Sequence, residues 1–223
     1  VIMDIAKKRC FKKLSFHSKV VISTSIVLII AGTLLLKATE DISWLGAFFQ
    51  SVSARTAGFS TYAIGDFTNA GLFVLCVLMF IGASPGSTGG GIKTSTFFVL
   101  FQAARSACVK KNVCAFRRSI SRQNISKASM ITVLSMMVVC VATFLLCVLE
   151  PDRTFIQVFF EVVSAFGTVG LSTGITPGLS VAAKIVIIFV MFIGRLGAFT
   201  LLTIWISHPE PKIRYSEENI AIG

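Results

Sequence analysis

The chain has 223 residues, of which 54% are hydrophobic and only 14% charged, and its formal net charge is +11. A soluble domain carries roughly a quarter charged residues, so an ordinary water-soluble fold is excluded and membrane-spanning segments are expected. The excess of base does not indicate a nucleic-acid partner: it clusters beside apolar runs, with Phe116 as the lone interleaved aromatic of the central cluster and no recognisable nucleic-acid motif.

Residues 1–15 form a basic segment containing Lys7, Lys8, Arg9, Lys12 and Lys13. An apolar run, 20–36, is long enough to span a bilayer. Base followed by an apolar run imitates a secretion signal, but no small-residue cleavage site follows Leu36 and the pattern recurs later, so the run is read as a span. After a polar break, Asp41 or Ser43 can cap a short helix over 44–54, too short to cross. The strip RTAGF, 55–59, follows, and then a polar return. A second span, 70–105, is interrupted at 83–91 by ASPGSTGGG. Proline removes a backbone donor and glycine weakens helix. Irregular backbone survives at membrane depth only against protein or a water-filled cavity, so the interruption predicts a pore-lining loop.

A basic linker, 106–126, leads to a second unit over 127–207. It comprises a span (128–149), a short helix (154–165), the strip GTVGL (167–171) and a span (180–206) carrying Arg195. A polar tail, 208–223, ends the chain. The architecture expected is an all-α membrane protein of two tandem helix–pore-helix–filter–helix units, of the kind found in a pseudo-fourfold cation channel. Charge places the cell-membrane topology: base concentrates in the N-terminal segment and the linker, so these and the tail are expected to be cytoplasmic. The cysteines include no C-x-x-C pair, and Cys76, Cys140 and Cys147 lie in apolar runs; they read as small fillers or free thiols rather than metal ligands.

The two units repeat each other. FFQSVSARTAGFST aligns with FFEVVSAFGTVGLST, and one interval separates both Thr56 from Thr168 and Gly58 from Gly170. Such repetition must be read before anything else in a fold. A dehydrated monovalent cation needs several oxygen ligands, and backbone carbonyls supply them without fixed charge, so the ion can bind and leave. The expected filter residues are Thr56, Ala57, Gly58, Phe59, Thr168, Val169, Gly170 and Leu171. Their carbonyls would coordinate K+ as the transported ion, with no covalently bound cofactor and no catalytic residue. Gln50 and Glu161 occupy equivalent places on the short helices and are placed to brace the strips through their amides. Arg55 suits a structural pairing with a carboxylate.

The loop Ala83, Ser84, Pro85, Gly86, Ser87, Thr88, Gly89, Gly90 and Gly91 reads as a flexible gate, with Lys93 at its end. Arg195 is buried by pattern and is expected to latch the loop. GSTGGGIKT imitates a phosphate-binding loop, but Ile92 displaces the lysine and a span, not a strand, precedes it. Nucleotide hydrolysis is thus a distant alternative. Sodium or poorly selective cation passage is the nearer one, and a non-conducting interaction subunit a third.

ASPGSTGGGIKT, RTAGFST, SAFGTVGLSTGIT and MFIGRLGAFTL together resemble the membrane subunit of the Trk/Ktr potassium-uptake systems, most closely the KtrB type, over Phe16 to Trp205. The resemblance implies four span–half-helix–span units around one pore, one filter glycine per unit, and an intramembrane loop in the third unit as gate. On this matching 16–105 is the third unit and 127–207 the fourth. Gly58 and Gly170 are filter glycines, Ala83–Gly91 is the gating loop, and Arg195 faces it. The resemblance further implies a homodimer and a separate cytoplasmic nucleotide-binding ring that regulates opening. Two units are absent, so the chain is expected to be the C-terminal half of a longer protein whose N-terminal half completes the pore within the lipid bilayer.

Overall fold

The computed structural model describes residues 14–87, 89–109, 113–116 and 118–197. The N-terminal segment 1–13, Thr88, Lys110, Lys111, Asn112, Arg117, the end of the last span and the tail lie outside the described residues. Seven helices are seen among the rest. In the first unit, α1 (Phe16–Thr39) runs to a tight break, and α2 (Trp44–Ser53) is followed by the strip. Then come α3 (Asn69–Phe80), the glycine-rich loop and α4 (Thr94–Val109). The second unit has α5 (Arg122–Leu149), α6 (Phe155–Gly167) and α7 (Val181–Leu196).

Among the described residues, α1 and α5 are the helices both long and apolar enough to cross a membrane by length and composition. At ~1.5 Å per residue they reach ~36 and ~42 Å, against a hydrocarbon core of ~30 Å. Both overrun the apolar stretches that mark them. α5 starts at Arg122, because its polar opening turn, RQNISK, needs no hydrocarbon to be helical and is capped by Ser121, whose Oγ accepts from the Asn124 amide at 3.3 Å.

Between α4 and α5 the linker is not featureless. A two-stranded antiparallel ribbon, β1 (Cys114–Ala115) with β2 (Arg118–Ser119), turns the chain. Phe116 at its tip, with φ 49°, lies edge-on to Phe16 and stacks on Phe98.

The core gathers around the two short helices. Phe160, Phe166, Val158, Val162 and Val163 of α6 are buried, and α3 supplies Leu75 and Met79. α6 is thus sandwiched between α3 of its own chain's first unit and α7 behind it. The outer faces of α1, α5 and α7 expose Val27, Val133, Phe144, Val148 and Ile188, among others. Exposure of so many large apolar side chains is unusual in water and natural against lipid or further protein.

Candidate functional site

Each strip hangs from the C-terminal end of a short helix. Ser43 caps α2 by accepting from the Gly46 amide at 3.0 Å, and Gln157 Oε1 accepts from the Thr154 amide at 3.3 Å at the start of α6. The fixed starts set where the partly negative C-terminal ends point. At those ends the chain leaves helical geometry in the same way twice. Thr56 has φ 91° and Thr168 φ 51°, and the glycines two residues on have φ 76° (Gly58) and 95° (Gly170). A β-branched residue at positive φ is a true outlier, and one at each of two repeat-related places shows backbone held against its preference by its surroundings.

The holding bonds are also paired. The Ala57 amide donates to Ser53 O at 3.0 Å, and the Val169 amide to Ser164 O at 3.0 Å. The Ser53 hydroxyl donates to Phe59 O, and the Ser164 hydroxyl to Leu171 O at 2.6 Å. Phe59 and Leu171 therefore have their carbonyls engaged from behind by the short helix. By contrast, the carbonyl oxygens of Thr56, Ala57, Gly58, Thr168, Val169 and Gly170 accept no hydrogen bond among the described residues. Backbone carbonyls are ordinarily satisfied. Six carbonyls without a partner among the described residues, on two facing and mostly accessible segments, make an oxygen-rich surface suited to a cation. The strips do face each other: a Cβ built on Gly58 would lie 1.9 Å from Val169 O. Outside them opens a depression of about 450 Å3, bordered by Gly58, Gly170, Ser60, Asp66 and Thr173.

Gln50 and Glu161 sit behind the strips, both buried. Gln50 Nε2 donates to Ser60 Oγ at 2.7 Å. Glu161 Oε1 accepts from Ser172 Oγ at 2.6 Å and the Thr173 amide at 3.0 Å, and its Oε2 accepts from Thr176 Oγ1 at 2.7 Å. They hold the return segments just beyond the strips, rather than the amides of the strips themselves. Ser53, Ser164, Ser60 and Ser172 were not singled out from sequence. The signal was there, since serine recurs at both aligned places of the repeat.

The glycine-rich loop lies under both strips. Ile81 and Ile92 pair as an isolated bridge across its neck, with the Ile92 amide donating to Phe80 O at 3.0 Å. Ala83, Ser84, Pro85, Gly86 and Ser87 form its outer arm, where the Ser87 amide donates to Ser84 O at 3.1 Å. Gly89, Gly90 and Gly91 form the returning arm. The Gly90 amide donates to Thr168 Oγ1 at 2.7 Å, and a Cβ on Gly89 would meet the Thr56 methyl at 2.6 Å. Only glycine allows the loop this approach.

Cations hold the loop, but not in the way the sequence implied. Arg55 Nη2 donates to Gly82 O at 3.3 Å; its partner is a carbonyl, not a carboxylate. Lys93 Nζ donates to Gly89 O inside the loop. Arg195, read as buried, is exposed at the end of α7 and makes no hydrogen bond or ion pair among the described residues, although its charge acts on Lys93. The apolar neighbours of Arg195 in sequence mislead: about three turns of α7 separate it from Lys184, so the two charges share one face of the helix.

Comparison with known proteins follows the same line. The family model described as TrkH, cation transport protein, matches residues 9–216. The chain is similar to the Ktr system potassium uptake protein B of Vibrio alginolyticus, 40% identical over 97% of this chain and 50% of that protein. It is 35% identical to the Ktr system potassium uptake protein B of Bacillus subtilis, over 100% of this chain and 53% of that one. It is also 36% identical to the potassium/sodium uptake protein NtpJ of Enterococcus hirae, over 99% of this chain and 53% of that one. The crystal structure of the potassium transporter TrkH from Vibrio parahaemolyticus superposes with a TM-score of 0.67 at 25% identity, covering 86% of this chain and 44% of that one. The chain spans about half the length of the curated relatives it matches.

Proposed function

The chain belongs to the TrkH family of cation transport proteins, and on that premise we propose that it supplies two of the filter strips and the gate of a transmembrane potassium pathway. The family is one of membrane cation transporters, which removes the motive for reading GSTGGGIKT as a site of nucleotide hydrolysis. The observation that carries the reading is the set of free carbonyls on Thr56–Gly58 and Thr168–Gly170, held on facing segments at the ends of two short helices. Oxygens so placed replace the water shell of an alkali cation.

In this reading Gln50 and Glu161 support the filter, and the loop Ala83–Gly91 with Lys93 closes the pathway beneath it. Arg195 faces outward from the end of α7, where it can meet the loop once further units surround the pore. The basic N-terminal segment, linker and tail face the cytoplasm. An N-terminal half with two more strips completes the ring, two such molecules pair, and a separate nucleotide-binding ring docks on the cytoplasmic side. Support for the missing half lies in the fraction of the relatives that the chain covers.

Sodium passage is the second reading, favoured by the similarity to a potassium/sodium uptake protein. The deciding experiment is uptake of K+ and Na+ by cells lacking their own potassium uptake, supplied with the full-length gene. Growth at limiting K+ with K+ taken up in preference to Na+ supports the first reading. Equal uptake of both ions supports the second, and no uptake of either overturns both.

A further inference from the structure

Five polar side chains converge on one cavity at the basic end of the bundle. His17 of α1, Ser95 and Thr96 of α4, and Asn124 and Lys127 of α5 border a space of about 330 Å3. None of these side chains has a hydrogen bond or ion pair among the described residues. The inner wall is apolar, built by Phe16, Val20, Phe98, Val99, Ala128 and Ile131. The cavity is therefore amphipathic: a polar, basic rim over a greasy floor.

Its depth in the bilayer follows from the helices. α1 and α5 are long and apolar enough to cross, and both begin here, capped by Ser15 and Ser121. Their first turns lie at the membrane surface, and their N-terminal ends add positive partial charge. No Asp or Glu occurs anywhere in α1, α4 or α5, so no carboxylate of these helices neutralises Lys127. The ribbon packs against two of the lining residues: Phe116 lies 6.4 Å from Phe16 and 6.3 Å from Phe98, ring centre to ring centre.

We propose that this cavity binds the headgroup of an anionic glycerophospholipid of the cytoplasmic leaflet. Lys127 and His17 face the phosphodiester, Ser95, Thr96 and Asn124 donate to its oxygens, and the apolar floor takes the first methylenes of the chains. Basic pockets between spanning helices on this side are suited to such headgroups. A free phosphate would satisfy the rim and leave the floor in contact with water, so the lipid is the better match. The bound lipid would tie α4, the helix that directly follows the loop, to α1 and α5, and so restrain the loop from below.

The test uses the full-length protein in phosphatidylethanolamine vesicles doped with photoreactive phosphatidylglycerol. Cross-links are expected on peptides containing His17–Val20, Ser95–Val99 and Asn124–Ile131. Lys127→Ala should reduce them about fivefold, the share of one basic residue near an anionic surface, and Lys127→Arg should preserve them. Arg105→Ala removes an equal charge from α4 outside the cavity and should leave them unchanged. Equal labelling by photoreactive phosphatidylcholine, an equal loss in Arg105→Ala, or competition by soluble glycerol phosphate would each overturn the assignment. None of these outcomes depends on which ion the protein carries.

Discussion

A Cβ built on Gly58 meets Val169 O at 1.9 Å, whereas one built on Gly170 meets nothing within 4 Å. Both glycines have positive φ, where a side chain costs ~1–2 kcal/mol. Gly58→Ser and Gly170→Ser are each expected to lower the preference for K+ over Na+ about tenfold, read as the ratio of initial uptake rates. Gly58→Ser should also reduce the yield of folded protein, because it drives the two strips apart. A variant pair with unchanged ratios would remove the strips from the ion path. Thr168 makes a different contribution. Its hydroxyl is the acceptor for the buried Gly90 amide, and Thr168→Val leaves that donor unpaired at a cost of about 1–3 kcal/mol. The loop is then held less firmly, so faster uptake with a lower melting temperature is expected, and Thr168→Ser should restore both. Normal uptake in Thr168→Val would mean that the bond does not restrain the loop.

Each unit also joins its elements by one carboxylate. Glu40 Oε1, just past α1, accepts from the Thr68 amide at 3.0 Å and so fastens the start of α3. Glu150 Oε1, just past α5, accepts from the Ser180 amide at 2.6 Å and fastens the start of α7. The amide and hydroxyl of Ser180 hold the Glu150 carboxyl below the usual carboxylate range. A lowered folded-state pKa contributes stability above the unfolded value, near 4.3, and that contribution is lost as pH falls through the folded value. Glu150→Gln should therefore melt below the parent at neutral pH, with the gap closing in strongly acid buffer. Thermal melts over a pH series read this directly; a gap of constant size would mean that charge at Glu150 does not secure α7.

Across the whole molecule the two short helices are equivalent in sequence and unequal in burial. Phe160 and Val163 of α6 are 0% and 1% exposed, while their counterparts Phe49 and Val52 of α2 are 38% and 39% exposed. α6 is covered by α3 of the preceding unit; α2 has no preceding unit in this chain. A cyclic arrangement predicts that a further unit covers α2 as α3 covers α6. Cysteine placed at Phe49 or Val52 in the full-length protein should then resist a membrane-impermeant maleimide, whereas cysteine at the outer return, for example at Ala63, should react quickly. Rapid labelling of Phe49→Cys would argue against a closed ring of units.

Periodicity and repetition are properties of the chain itself, so the spans, the short helices and the duplicated Thr-x-Gly strips can be read from residue order alone. Proline and the run of glycines announce the break between α3 and α4 for the same reason, because they act on the local backbone. Partner choice is different. Whether Arg55 meets a carboxylate or the Gly82 carbonyl, whether Arg195 is covered, and which carbonyls the Ser53 and Ser164 hydroxyls take up depend on segments that are distant in sequence or on turns whose angles side-chain pattern does not specify. The ribbon at 114–119 leaves no mark in the sequence pattern, because two residue pairs are too few to show a period. Sequence alone thus determined the membrane class, the repeat and the place of the strips, since these rest on local hydrophobicity and backbone freedom. Only the tertiary structure decided which oxygens stay free and what holds the loop beneath them, since that is settled by packing between units.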